Sequence, residues 1–195
     1  MTYAKVSIPK GGGNPGTPQP KDPNVIFIAT GDIATFPALE EGNVVVTEDI
    51  TLKEDATAVS CYVTPSTIKV SDTVDGDPDA RGFKAKVEMS HPGREDAFEN
   101  FAERGLNDDY LILLKDADSG QGYRLLGTPS NPMKQNIESQ DDQDAVLSKL
   151  TFEQAMRSKY KIRRYTGKIP TLAPTSVEPA PEPPTEDQSD PGETV

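Results

Sequence analysis

The sequence has a single cysteine, Cys61, and a single histidine, His91, in 195 residues. One cysteine excludes the disulfide framework of small secreted proteins and favours a reducing cytoplasm. One histidine and one cysteine also exclude a zinc site built from nitrogen and sulfur ligands alone. No apolar run reaches the roughly 18 residues of a membrane span, and none of signal-peptide length follows the first lysine. We therefore expect a soluble, unprocessed chain with no membrane partner.

Positive charge is scarce, because 20 basic residues face 32 acidic ones and the net charge is -12. This balance opposes tight binding to nucleic acid or to anionic lipid. Prolines concentrate at both ends, which predicts a flexible arm over residues 1–23 and a tail over residues 173–195. The tail has six acidic residues and no lysine or arginine, so we expect it to be disordered. Residues 24–172 are long enough to form one stable core.

Short β-branched runs separated by glycine, proline and acidic residues predict a mainly β core. The clearest strand is 82–90, where Phe83, Ala85, Val87 and Met89 alternate with polar residues. Residues 110–115 are almost continuously apolar and lead through a polar turn into 123–127, which predicts a hairpin. The other predicted strands are 24–30, 43–52, 57–63, 133–139, 145–154 and 158–167. The fold class predicted is a β-sandwich or β-barrel with one flanking α-helix.

The helix is predicted over residues 92–104. Pro92 suits a first helical turn, the acidic pair Glu95 and Asp96 suits its positive end, and Gly105 suits its end. An apolar stripe at helical spacing, with Phe98 and Phe101 at its centre and Ala97 and Ala102 beside them, predicts that the helix docks through its phenylalanines.

We find no pattern of residues that supports catalysis. His91 has no G-x-S-x-G serine to activate and fits better as part of the start of the helix. Cys61 lies in an alternating apolar run without a basic neighbour, which favours a buried structural role. We therefore expect no catalytic residue.

We also expect no metal and no cofactor. Asp77, Asp79, Gly82 and Glu88 match positions 1, 3, 6 and 12 of a calcium loop, but Arg81 occupies a ligand position. We interpret this match as chance and the pair Asp116 and Asp118 as a hairpin turn. The glycines 11–13 are followed by Asn and Pro instead of the Lys and Ser or Thr of a phosphate loop, which favours a linker.

Two clusters of opposite charge are candidates for an assembly interface. One is basic and has no acidic residue within it: Arg157, Lys159, Lys161, Arg163, Arg164 and Lys168. The other is acidic: Glu138, Asp141, Asp142 and Asp144. Subunits that carry both signs can associate head to tail in rings or filaments. Two alternatives stay open: a nucleic-acid contact for the basic run, and two simply solvated faces.

Four consecutive segments carry a resemblance to a known family. They are "GFKAKVEMS" (82–90), "GREDAFENFAERG" (93–105), "YLILLKDADSGQGYRLLGTPSNP" (110–132) and "LSKLTFEQAMRSKYKIRRYTGKIP" (147–170). In this order they resemble the tail-tube proteins of bacteriophages and prophages, particularly those of Bacteroidetes-type hosts. The resemblance covers less than half of the chain and rests on pattern, with no invariant motif.

The resemblance implies a small β-barrel or β-sandwich that forms hexameric rings, which stack into a hollow tube. It implies a virion protein made in the bacterial host cytoplasm, with itself and other virion proteins as partners and with DNA that passes through but is not tightly bound. In that family an arm and a long loop reach neighbouring subunits, and residues 1–23 and the acidic stretch 71–80 are the segments here that could do so. The acidic Pro-rich tail is a departure from a minimal tube subunit.

The charge suggests how such a tube could work. An acidic lumen repels the phosphate backbone, so that DNA slides without being trapped. Our hypothesis is that strand faces around residues 138–144 line a lumen or a ring interface while residues 157–168 pair with a neighbouring ring. The main alternative is a β-sandwich binding or adaptor module, or another virion head or neck component, that recruits a partner through its acidic Pro-rich tail. An enzyme is the least favoured class.

Overall fold

The computed structural model describes residues 5–117 and 120–175. Within these residues the chain forms one α-helix, α1 (Asp96–Arg104), and three 3-10 turns at Thr30–Asp32, Pro65–Thr67 and Gly105–Asn107. The strands are β1 (Asn24–Ala29), β2 (Ile33–Thr35), β3 (Val45–Val46), β4 (Thr51–Leu52), β5 (Val59–Tyr62), β6 (Lys69–Asp75), β7 (Gly82–Pro92), β8 (Asp109–Lys115), β9 (Tyr123–Leu126), β10 (Met133–Asp141), β11 (Val146–Gln154) and β12 (Arg163–Tyr165). The mainly β fold with a helix is as the sequence predicts.

Ten strands form one sheet that packs against itself as two layers. The first layer is antiparallel, in the order β6-β7-β11-β10, and the second has the order β5-β1-β8-β9-β12-β3. Strand β8 joins them, because its first residues pair with β10 and its later residues with β9. Strands β12 and β3 are parallel, so the sheet is mixed. The small pair β2-β4 stands apart from it.

The two faces of β8 are buried in two different hydrophobic clusters. Tyr110, Ile112 and Leu114 face the first layer, while Leu111 and Leu113 face a covering of loops and the β2-β4 pair. A strand that is buried on both faces needs apolar residues at every position. This explains the continuous apolar run of residues 110–115. Strand β7 has one buried face, and its alternation is confirmed by buried Ala85, Val87 and Met89.

The helix starts later than the predicted Pro92. Strand β7 continues through Pro92, which pairs with Leu147 of β11, and α1 begins only at Asp96. The cross-strand partner decides this boundary, since a proline fits a first helical turn and the end of a strand equally well. The predicted end at Gly105 is confirmed, and Phe98 is buried with Phe101 packed against the same cluster.

Three other predicted segments differ in extent. Residues 43–52 form two two-residue strands, and within 158–167 only Arg163–Tyr165 is a strand. The predicted contact loop 71–80 is wrong in its first half, because Lys69–Asp75 pairs with β7 as β6. Whether a segment pairs as a strand depends on its neighbour as well as on its own residues. The strand propensity of one segment therefore does not fix where the strand begins and ends.

The two ends of the chain differ in how they are anchored. Residues 5–20 are exposed, and Lys21 contacts Asp116 while the Asp22 N–H donates to the Lys115 carbonyl at 2.9 Å. At the other end the Ala173 N–H donates to the Ala58 carbonyl at 2.8 Å. Most of the predicted tail, residues 176–195, lies outside the described residues.

Candidate assembly surfaces

The first two cations of the basic run are each paired with a carboxylate from a distant segment. Arg157 Nε lies 3.0 Å from Asp75 Oδ2, and Lys159 Nζ lies 3.4 Å from Glu41 Oε1. All four side chains are largely exposed, so the pairs reduce local charge more than they stabilise the fold. The partners are 82 and 118 residues apart, and the sequence alone therefore did not pair them.

Arg163 lies in the interior and is only 7% exposed. Its guanidinium donates to the carbonyls of Asn43 and Glu40 and lies 4.9 Å from the centre of the Tyr160 ring. Arg163 thus holds the loop before β3 against β12. This placement corrects its selection as an interface residue, because a neighbouring subunit cannot reach a buried side chain.

The other three cations of the run are exposed but lie in separate surroundings. Lys161 Nζ lies 5.5 Å from the Phe83 ring centre, and Arg164 donates to Gln121 Oε1 at 3.3 Å. The Lys168 backbone N–H donates to Asp49 Oδ1 at 2.7 Å. The basic run is therefore contiguous in sequence without forming one uninterrupted positive patch.

The acidic cluster surrounds the turn between β10 and β11. Asp142 Oδ1 accepts the N–H groups of Asp144 and Ala145, at 2.9 and 3.1 Å, and so closes the turn. Hydrogen bonding from Gln140, and then from these N–H groups, lowers the pKa of Asp142. Asp141 forms an ion pair with Arg94, in which Arg94 Nη1 lies 2.8 Å from Asp141 Oδ2. Two of the four acids therefore have local roles in the fold.

The two candidate clusters begin at opposite ends of the first layer. Strand β11 runs from Val146 beside the acidic turn to Gln154, just before Arg157. Eight steps of about 3.4 Å separate these ends by about 27 Å. This is the arrangement that head-to-tail association needs, although Asp75 and Glu41 offset the positive charge at the basic end.

The outer face of the first layer carries balanced charge and is not acidic. The register places Glu138 opposite Lys149, while Lys84 pairs with Glu153 at 2.5 Å. The charged residues that share this face by alternation are Lys69, Lys84, Lys86, Lys134, Lys149, Asp75, Glu88, Glu138 and Glu153. The expectation of an acidic strand face around Glu138 is therefore wrong.

The outer edge of β6 is a surface that the sequence did not indicate. In β7 the Ser90 backbone bonds toward the β6 side and the Phe83 backbone toward the opposite side. Continuing this alternation directs the backbone groups of Val70, Asp72 and Val74 away from β7. No strand of the described residues pairs with this edge, and Val74 is 59% exposed. Unpaired edges of this kind are templates for another strand.

His91 joins the end of β7 to the start of α1. Its Nδ1 lies 2.8 Å from the Tyr62 carbonyl oxygen and its Nε2 lies 2.8 Å from Glu95 Oε2. Cys61 Sγ lies 3.9 Å from Nδ1, and burial raises the pKa of this thiol to about 11. A buried thiol that stays protonated is a poor nucleophile. His91 is 30 residues from Cys61 in the chain, so the sequence pattern around Cys61 does not show this contact.

The four residues of the calcium-like match do not surround a common point. Asp77 and Asp79 lie in the turn after β6, Gly82 begins β7, and Glu88 lies six residues further along that strand. Six strand residues span about 20 Å. Glu88 instead pairs with Lys86 at 2.7 Å, which lowers the pKa of the carboxyl. Across the described part of the chain, no group of three acidic, histidine or cysteine side chains is placed to hold a metal ion.

The structure defines a two-layered, mainly β protein with one helix, an open sheet edge and charged groups at both ends of one layer. Its described residues include no helix with the length and apolarity of a membrane span. Comparisons with protein-family models, curated proteins and solved structures found no match to this chain.

Proposed function

We propose that this chain is a structural protein of a phage or prophage virion, a tail-tube-like subunit that assembles with copies of itself into rings or a tube that conducts DNA. In this proposal the chain is made in the bacterial host cytoplasm, is incorporated into the virion and contacts other virion proteins. The resemblance of residues 82–170 supports it, as does the fold class that this resemblance implies.

One observation carries the self-assembly: an open strand edge and an unpacked apolar arm occur in the same chain. Val6 and Ile8 of the arm are 69% and 88% exposed and alternate with Lys5 and Ser7, the pattern of a strand with one apolar face. Covering these side chains lowers the free energy, because it removes apolar surface from water. The edge of β6 offers backbone groups and the exposed Val74 to receive them.

The assembly step is strand addition between copies. Residues 5–8 of one subunit pair with the outer edge of β6 in the next, and main-chain hydrogen bonds form the joint. Because arm and edge are different surfaces, the contact is heterologous, and such contacts close into rings or continue as filaments. The Lys21 contact with Asp116 fixes where each arm leaves its own subunit.

Passage of DNA fits the balanced outer face of the first layer. Lys84 and Lys86 are each paired with a glutamate, at 2.5 and 2.7 Å, so their charge is offset before DNA approaches. A paired lysine attracts phosphate less than a free one does. In this proposal a face of balanced charge, instead of an acidic lumen, lets the DNA pass without being bound tightly.

The experiment is light scattering after size exclusion over a concentration series, with negative-stain electron microscopy of the same fractions. We expect the full chain to form rings or tubes and the double variant Val6→Asp/Ile8→Asp to remain a monomer. The matched control, Lys5→Gln/Ser7→Asp, changes the net charge of the arm by the same amount, retains both apolar side chains and should still assemble.

Val74→Pro tests the other half of the joint. Its N–H points outward, so proline should leave the pairing with β7 intact while blocking strand addition. Val74→Thr keeps the N–H and serves as its control. A full chain that stays monomeric at every concentration would overturn the proposal and favour the adaptor module.

A further inference from the structure

Glycine follows an aspartate or an asparagine at only one place in the sequence, at Asp75 and Gly76. Asp75 ends β6 and lies opposite Gly82 at the start of β7, so the pair stands where the chain turns from one strand into the other. The Asp75 side chain is 54% exposed. Glycine has no Cβ to shield its backbone nitrogen. At such a pair this nitrogen can reach the carboxyl group of the preceding side chain.

The two groups that would react with each other are already in contact. The Gly76 N–H donates a hydrogen bond to the Asp75 carboxylate. The φ of Gly76 is +110°, a value that favours glycine over residues with a side chain. An intramolecular reaction is fast when the folded chain holds its reacting groups close together. The turn therefore brings the Gly76 nitrogen and the Asp75 carboxyl group together before any reaction begins.

Arg157 holds the same carboxylate from a distant segment. Its Nε lies 3.0 Å from Asp75 Oδ2, and its Nη1 donates to the Ala80 carbonyl at 3.2 Å. A Cβ built on Gly76 would lie 2.7 Å from Nη1, so the guanidinium packs directly against this glycine. The hydrogen bond and the charge of Arg157 lower the pKa of Asp75, with a smaller contribution from the charge of Lys84. An ionised carboxylate reacts poorly with a nitrogen, because its oxygen is a poor leaving group.

We propose that Asp75 converts to isoaspartate by reaction with Gly76, and that Arg157 restrains this conversion. In the first step the Gly76 nitrogen loses its proton and bonds to Cγ of the protonated Asp75 side chain. The bond from Cγ to its hydroxyl breaks, and the hydroxyl leaves with that proton as water, which closes a succinimide ring. In the second step a water molecule adds to the main-chain carbonyl carbon of Asp75, and the bond from this carbon to the Gly76 nitrogen breaks.

The product has the mass of the original chain but a longer backbone. The chain then runs through Cβ and Cγ of residue 75, which adds one methylene, and the former main-chain carbonyl carbon becomes the carboxylate. Because Asp75 pairs with Gly82, the added methylene displaces the last pair between β6 and β7. The reaction releases and consumes only water. This inference does not depend on the proposed function.

The test is the rate at which isoaspartate accumulates at residue 75 of the full chain, kept at one temperature and several pH values. A protease that cleaves before aspartate but not before isoaspartate, followed by mass spectrometry, measures this rate. At neutral pH, Arg157→Gln should speed the conversion at least about fivefold, because a carboxyl with a higher pKa is protonated more often. The matched control is Lys159→Gln, at an exposed lysine that pairs with Glu41 instead, and it should stay close to the wild-type rate.

The dependence of the rate on pH separates the charge of Arg157 from a looser turn. Removing Arg157 raises the pKa of Asp75 toward its ordinary value, so the rate should begin to rise at a higher pH in Arg157→Gln than in the wild type. Arg157→Lys keeps a cation beside Asp75 and should bring the pH profile back toward that of the wild type. These variants leave unchanged the other charged groups around this carboxyl, which are Lys84 and, in the turn itself, Asp77, Asp79 and Arg81.

Two results would overturn the proposal. An absence of isoaspartate at residue 75 in Arg157→Gln would show that Asp75 and Gly76 do not react. Equal rates with and without Arg157, or a faster reaction with an unshifted pH profile, would show that the charge of Arg157 does not restrain the conversion.

Discussion

His91 and Phe98 stack face to face, with ring centres 4.0 Å apart and 11° between the ring planes. The contact fixes the first turn of α1 against the end of β7. We expect His91→Ala to lower the free energy of unfolding by about 2–3 kcal/mol, because it removes this contact and the bond to the Tyr62 carbonyl. Urea unfolding measures this change in the free energy of unfolding. Arg94→Ala, at an exposed neighbour, should cost about 0.5 kcal/mol, and equal losses would contradict a structural role for His91.

Glu95 should contribute to how stability depends on pH. Its hydrogen bond with His91 holds its pKa below the ordinary value of 4.5. A carboxyl lowered in this way stabilises the fold above its unfolded pKa and loses that contribution as pH falls through its folded pKa. Glu95→Gln should therefore weaken the loss of stability below about pH 4.5. Unfolding curves at several pH values test this, with Glu103→Gln in the last turn of α1 as a control that should behave as wild type.

Arg163 should contribute to the stability of the fold, and its neighbour Arg164 should contribute little. Arg163→Met removes the donors to Asn43 and Glu40, so we expect a loss of about 2–3 kcal/mol. Arg164→Met, one residue along and exposed, should stay within about 0.5 kcal/mol. Denaturant unfolding compares them, and similar losses would argue against the buried position of Arg163. Arg164→Glu is the better charge reversal for testing assembly.

The contact between Lys21 and Asp116 should anchor the base of the arm. In Lys21→Ala we expect faster hydrogen exchange at the N–H groups of Asp22 and Ala117, which bond to Lys115 and Pro20. The free energy of unfolding should fall by about 1.5–3 kcal/mol, since the two side chains are only 17% and 15% exposed and the bond is between charged groups. Lys10→Ala, in the exposed part of the arm, is the control. Unchanged exchange in both variants would show that Lys21 does not hold the arm.

Gly122 should tolerate no side chain. Its φ is +82°, and a Cβ there would clash with the Tyr165 carbonyl oxygen of β12. We expect Gly122→Ala to destabilise the protein by about 2 kcal/mol or more, through strain and displacement of β12. At Gly120 a Cβ would meet nothing within 4 Å, so Gly120→Ala should be close to neutral. Thermal unfolding of both variants decides between a specific clash and a general sensitivity of this hairpin.

The sequence was most informative where burial repeats along one strand or helix. Alternation located β7, the continuous apolar run located β8, and the spacing of Phe98 and Phe101 located the docked face of α1. Each of these signals is local, because the residues that carry it lie within one element. The start of α1 and the whole of strand β6 were missed, since both depend on pairing with another strand.

For the candidate surfaces, too, some features follow from the sequence and others only from the tertiary structure. The sequence by itself determined the composition of the arm and tail, the order of most of the strands and of the helix, and the position of the acidic cluster. Only the tertiary structure decided that Arg163 is buried, that Arg157 and Lys159 meet Asp75 and Glu41, and that the edge of β6 is open. The physical reason is that charge pairing, burial and an open edge depend on distances between residues that are far apart in the chain.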